Sequence, residues 1–266
     1  MDSQSKSATS TLHRPSAATK DVALMLVERS GRYRIGEPQR PFIKHDNGFL
    51  DVYSHQEPTL ADRYSLEVWK AKLDVAEITR PEWVDATAAY RWFLHGKGKD
   101  RHFEYDRYVK DDPNGKIGLE NIIADAVLHI QVIGRNREEF SVTSDQYAVG
   151  AFGQSPTLPY PATTNWQRAL GAHIVWISAK VLVELNSKLD LVYDADLTFH
   201  VEDKFNFNPG GKDIATKTDD AENGRFEITG LAHQYMNIAI MTRNVRWVGG
   251  ASTWEVKGEK YRKSNR

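Results

Sequence analysis

Apolar and polar residues alternate most regularly between positions 173 and 203. Val175, Ile177, Ala179, Val181, Val183 and Leu185 share one parity, with Ser178, Lys180 and Glu184 on the other. A turn over 186–188 leads into a second alternating run, where Leu191, Tyr193, Ala195, Leu197, Phe199 and Val201 are apolar and Asp194, Asp196, Thr198, His200 and Glu202 polar. Successive side chains of a strand point to opposite faces, so a period of two held this long predicts an antiparallel hairpin with one buried side. The same phase turns Asp203 inward with Phe199 and Val201. A carboxylate at the rim of an apolar face is either part of a site or a loop cap.

Upstream the period is that of a helix. Thr59 followed by Asp62 opens a run through Val68 and Leu73, and Thr79-Arg80-Pro81-Glu82 reads as a capping box with Pro in the first turn. Trp83, Ala86, Tyr90 and Leu94 recur at helical spacing, so a helix is expected over about 81–94, closed by Gly96 as a left-handed cap. Another is expected over 117–131, with Leu119, Ile122, Ile123, Ala126 and Ile130 on one side. Beyond the hairpin, Asn208-Pro209-Gly210-Gly211 breaks the chain and 219–224 reads as a polar loop. A short helix is expected around Ile228, Leu231, Ala232 and Tyr235, before 236–247 returns to strand. The predicted fold class is α+β, helices packed on an antiparallel sheet. Residues 1–56 read as a flexible leader and irregular arm with a delivery role, 57–135 as a helical subdomain, 136–250 as the β part and 251–266 as a basic tail.

Charge narrows the classes of function. Lys+Arg 35 against Asp+Glu 36 leaves a net charge of -1 over 266 residues, so no global positive field holds a phosphate backbone and no nucleic-acid partner is expected. Cysteine is absent, which excludes disulfides, thiolate catalysis and Cys-ligated zinc. No apolar run approaches the roughly 18 residues of a membrane span, and residues 1–20 lack the apolar segment of a secretory signal. The expectation is a chain made in the cytoplasm without a signal peptide.

The run Glu202-Asp203-Lys204-Phe205-Asn206-Phe207-Asn208 resembles the signature of colicin M-type bacteriocin lytic domains, where Asp-Asp-Lys-Tyr-Asp-Phe-Asn follows a strand and a His-Arg pair comes a few residues later. The order of elements over about 81–247 is similar as well: an alanine-rich helix ending in aromatics and Gly96-Lys97-Gly98, a helix over 117–131, then Leu170-Gly171 opening the hairpin. The resemblance implies an antiparallel half-barrel with helices beside it. It also implies a bacterial antagonist that cleaves the undecaprenyl-pyrophosphate-linked peptidoglycan precursor, lipid II, with the help of magnesium in the periplasm of a target cell. The family's catalytic Asp maps to Asp203, its Tyr to Phe205, its second Asp to Asn206, its His to Lys212 and its Arg to Asp213.

Hydrolysis of a pyrophosphate ester needs a base or a metal-bound water, and cations for the developing charge. The candidate set is Asp203 and Asp213 as carboxylates, Lys212 as phosphate clamp and His200 or His233 as the titrating group. Asp203 and Asn206 are the candidate magnesium ligands, since an amide oxygen still ligates a hard cation. The Pro-Gly-Gly break is expected to fold Lys212 back toward Asp203, as an ion pair or as an anion site. His200, on the polar face, is otherwise a solvent-facing or cross-strand group, and the loop between His95 and His102 is either a phosphate cradle or a helix cap and turn. The leading reading is an envelope-acting toxin whose partners are lipid-linked precursor or a membrane surface, an immunity protein and a secretion machine. The alternatives are a catalytically dead binding module of the same fold, associated with secretion, and a membrane-perturbing toxin.

Overall fold

The computed structural model describes residues 28–150, 158–212 and 219–256, with the backbone of 259–262. The expected hairpin is its centre. β6 (His173–Leu185) and β7 (Leu191–Phe205) pair antiparallel from Ile174 opposite Glu202 to Leu185 opposite Leu191. Asn186 builds the turn between them, its side-chain oxygen accepting from the Lys188 and Asp190 backbone N–H groups at 2.8 and 2.9 Å. Val181, Val183, Leu197 and Phe199 are buried as expected, while Leu185, at the tip, is exposed.

The sheet grows outward from this pair. β8 (Tyr235–Val248) runs beside the whole of β7, and β9 (Thr253–Val256) and β10 (Glu259–Arg262) continue that side. On the other side β4 (Glu139–Ser144) pairs with β6, followed by β2 (Tyr33–Ile35) and β1 (Arg29–Ser30). β5 (Tyr147–Val149) also pairs with β6, and β3 (Arg101–His102) adds to β8 as the parallel strand of a ten-stranded, otherwise antiparallel sheet. The fold is therefore α+β. Pairing across β2 and β4 brings residues 29–35 into the sheet, so a boundary at residue 56 divides parts that the backbone joins. The basic tail likewise begins as strand, and residues 263–266 lie outside the described residues.

Helices cover the apolar face. α1 (Phe49–Val52) is a single turn, and α2 (Leu60–Thr79) starts at the Thr59–Asp62 capping box in both directions. The second expected capping box does not form. The Thr79 hydroxyl donates to the Val75 carbonyl instead, a 3-10 turn spans Pro81–Trp83, and α3 runs over Val84–His95. Its first N–H groups are satisfied from a distance: the Asn165 side-chain oxygen accepts from Asp85 and Ala86, each at 3.0 Å, which leaves Thr79 without a capping task. Gly96 is right-handed, and the positive φ falls on Lys97 (54°) and Gly98 (72°). The Trp92 indole closes that loop on the Lys99 carbonyl, so it forms a cap and turn.

α4 (Tyr105–Asp111) leads into α5 (Pro113–Ile133), which begins four residues before the expected 117 because Asp112 caps it, accepting from the Asn114 and Gly115 N–H groups, with Pro at the first position. Ile122, Ile123, Ile130 and Ile133 of α5 form one core with Ile177, Val181, Leu197 and Phe199 of the hairpin. By length and composition 113–136 would also cross a membrane, yet half of that window is buried in this core. α6 (Thr164–Ala169) precedes β6. The helix expected around 228–235 is displaced: α7 spans Ala221–Ile228, starting inside the 219–224 stretch that reads as a polar loop, and Gly230 at φ 66° follows its end. Asn223 and Glu227 point inward and disguise the apolar period. A second core joins Leu66, Leu73, Phe93, Phe226 and Tyr235 beneath the end of β7.

Candidate functional site

The end of β7 is knitted to the arm through side chains. Glu202 accepts from Arg40 Nε and Nη2 at 3.0 and 2.6 Å and lies 3.1 Å from His45 Nε2. Lys204 Nζ donates to Asn47 Oδ1, and Asn206 Nδ2 donates to Asp46 Oδ1 at 2.8 Å and to the Asp46 carbonyl at 3.1 Å. The Phe49 N–H donates to the Phe207 carbonyl at 3.2 Å. Gly48 makes this approach possible: at φ 52°, an added Cβ would lie 2.0 Å from the Phe207 oxygen. From the opposite side, Glu227 accepts from the Phe207 N–H at 3.1 Å and from Gln234 Nε2 at 3.2 Å, and the same Gln234 nitrogen reaches the Asn47 carbonyl at 2.8 Å.

Phe205 and Phe207, the alternate positions of the motif, anchor it in the second core. Phe205 stacks on Tyr235 at 5.0 Å between centroids, and Phe207 meets Phe93 edge-on at 5.0 Å. The position at which the resembled family carries Tyr therefore serves packing here.

A cleft of about 930 Å³ opens beside this knot. Trp69, Lys72, Leu73, Trp83 and Tyr90 of the α2–α3 region line it, together with Lys44, Asp46, Asp203, Lys204 and Lys212. Asp203 is buried, and burial pushes its carboxyl up to about 7, with Asp46 adding to the rise and a hydrogen bond from Asn237 Nδ2 at 3.1 Å opposing it. Burial alone would raise Glu202 as well, but bonding to Arg40 and His45 holds that carboxyl below its usual range. Glu227 is pushed up to about 8 by burial. His173 also lines the cleft, yet its ring is committed. Nδ1 lies 3.0 Å from the Gly171 carbonyl and so carries the proton, Nε2 accepts from the Tyr105 hydroxyl at 2.9 Å, and burial lowers the ring to about 4.

Of the residues singled out in the sequence, Asp203, Asn206 and Lys212 line this cleft. At the Pro-Gly-Gly break Gly210 sits at φ 77°, the Gly211 N–H donates to the Asn208 carbonyl, and the Lys212 backbone forms an isolated antiparallel β-bridge with Asp219. Among the described residues no ion pair joins Lys212 to Asp203. Asp213 lies outside the described residues. His200 is not among the residues of the cleft; it stacks flat on Trp176 at 3.7 Å and bonds the Ser178 hydroxyl at 2.9 Å, and burial lowers its ring. It is therefore a cross-strand packing group rather than a solvent-facing one.

The magnesium expectation meets a sparse donor set. Asn206 turns its amide nitrogen onto Asp46, Asp203 sits where burial favours the neutral acid, and among the described residues no group of three His, Asp or Glu side chains gathers around one point. This set does not by itself make a magnesium site, and no step below is routed through a metal. Asp46 and Glu227 carry no signal in the sequence pattern, the first in an arm without period and the second beside a loop, while Glu202 opens the motif but reads as a wet strand position. No family model, curated protein or solved structure matches the chain.

Proposed function

We propose that this chain is an antibacterial toxin with a colicin M-like domain, acting at the envelope of a target cell by hydrolysing a phosphate ester of lipid II in the cleft beside Asp203. The observation that carries the reading is a buried carboxyl pushed up to about 7 at a cleft lined by four lysines, Lys44, Lys72, Lys204 and Lys212, and by aromatic side chains. A carboxyl poised near neutrality donates a proton to a leaving oxygen at little cost, and lysines offset charge on the phosphoryl oxygens. The aromatic and aliphatic part suits the first isoprene units of a lipid carrier. Secretion into a rival cell and an immunity protein in the producer belong to the same proposal.

A second reading is a binding module of the same fold that holds the precursor without cutting it. It draws on the engagement of Lys204 and Asn206 with the arm and of His45 and His173 with Glu202, Tyr105 and Gly171. Expression directed to the bacterial periplasm or confined to the cytosol, with chromatography of lipid-linked precursors, separates the two. The toxin reading predicts lysis and loss of lipid II in the periplasmic arm alone. Periplasmic expression that leaves growth and the precursor pool intact contradicts it.

A further inference from the structure

We infer that Asp46, carried by the N-terminal arm, is the second catalytic carboxylate of the cleft and takes the proton of the attacking water. The inference rests on the hydrolase reading above. Asp46 and Asp203 line one cleft although 157 positions separate them in the chain, a span that the knot of the arm onto β7 closes. The carboxylate of Asp46 is held by one oxygen: Oδ1 accepts from Asn206 Nδ2 at 2.8 Å and from the Gly48 N–H at 3.0 Å. Oδ2 accepts no hydrogen bond from the described residues, and the side chain is exposed to water. A base needs that arrangement, one atom fixed and the other open to its proton. The arm that fixes it is itself held at both flanks, by Glu202 on Arg40 and His45 and by Phe207 on Phe49.

The two carboxyls occupy contrasting surroundings, one buried beside Asn237 and one open, and such pairs divide the roles of acid and base. In the step, water oxygen bonds to phosphorus while Asp46 Oδ2 takes its proton. The bond from phosphorus to the leaving oxygen breaks, and that oxygen takes the proton of neutral Asp203. Exchange with solvent then returns a proton to Asp203 and removes one from Asp46. The field of Asp46, which contributes to the raised Asp203 carboxyl, is consistent with this division.

Asp46→Asn tests it in the full chain, with purified lipid II in detergent micelles as the probe. Asn keeps an acceptor for Gly48 and Asn206, so the thermal midpoint stays that of the wild type while hydrolysis falls roughly 10²- to 10⁴-fold, the usual weight of an acid or base. The exchange Asp46→Asn with Asn206→Asp moves the carboxylate across the same hydrogen bond and recovers at least about tenfold of that loss. An active wild type with Asp46→Asn within about threefold of it overturns the inference and leaves the hydrolase reading standing. A loss that the exchange does not recover assigns Asp46 a structural role and also overturns it. A wild type that releases no product overturns the hydrolase reading, and this inference with it.

Discussion

One strand, β7, is held in two different ways along its length. From Leu191 to Val201 it is flanked by full backbone ladders and buries every second side chain in the larger core. From Glu202 to Phe205 the ladder to β6 ends while that to β8 continues, and here and through the turn after it the chain is also fastened by polar side chains to an arm some 160 positions away and by Phe205 and Phe207 to the second core. The first region is redundant, since many equivalent contacts share the load. The second, with a ladder on one side only, depends more on individual atoms, and residues of it line the cleft. Local precision of this kind is how a fold positions chemistry, because each bond fixes one group rather than one surface.

That contrast predicts how each region breaks. Phe199→Ala in the body, where Phe199 is fully buried, is expected to cost about 3–5 kcal/mol, read as a lower urea midpoint with an unchanged slope. Gly48→Ala in the knot places a side chain at φ 52° and against the Phe207 oxygen, so a loss of about 1–3 kcal/mol for the backbone strain alone is expected in thermal unfolding. A loss of activity larger than the loss of folded protein would show that the arm, and not the sheet, was displaced.

The pH dependence of stability sharpens the comparison further. Glu227 and Asp203 both have folded-state values above their unfolded ones, at about 8 and about 7. Between about pH 5 and 8 the folded chain therefore holds protons that the unfolded chain has released, and stability falls as pH rises through that window. Glu227→Gln is expected to flatten the fall by removing one of the two contributions, checked by denaturant midpoints across the range. Glu202 has the opposite sign: its lowered carboxyl stabilises above the unfolded value, and that stability is lost as pH falls through the folded one. Arg40→Ala should cost the least, about 0.5–1 kcal/mol at pH 7, because the guanidinium is half exposed and screened by water.

The same contrast decides what could be read in advance. The parity of Val175 to Val201 specifies the hairpin, its buried side and the inward turn of Asp203, since a slip of one residue would expose the whole apolar set. The Thr59–Asp62 box forms because both partners lie within one turn. By contrast, the start of α3 is capped by Asn165, about 80 positions away, so the local Thr79 pattern misleads. α7 hides behind inward Asn223 and Glu227, which are satisfied by Tyr90 and by Phe207 and Gln234. Asp46 reaches the site through Asn206, and no periodicity in an arm of mixed Gly, Pro and charged residues couples those two positions.

The most direct measurement is hydrolysis of purified lipid II by Asp203→Asn beside the wild type, with thermal midpoints of both. Asn preserves the shape of the buried side chain and cannot donate a carboxyl proton to the leaving oxygen. Expected are product release by the wild type, a fall of roughly 10²-fold or more in the variant, and a midpoint no lower than that of the wild type, since an unfavourable buried acid has been removed. A variant that cleaves lipid II at the wild-type rate, while equally folded, would contradict it.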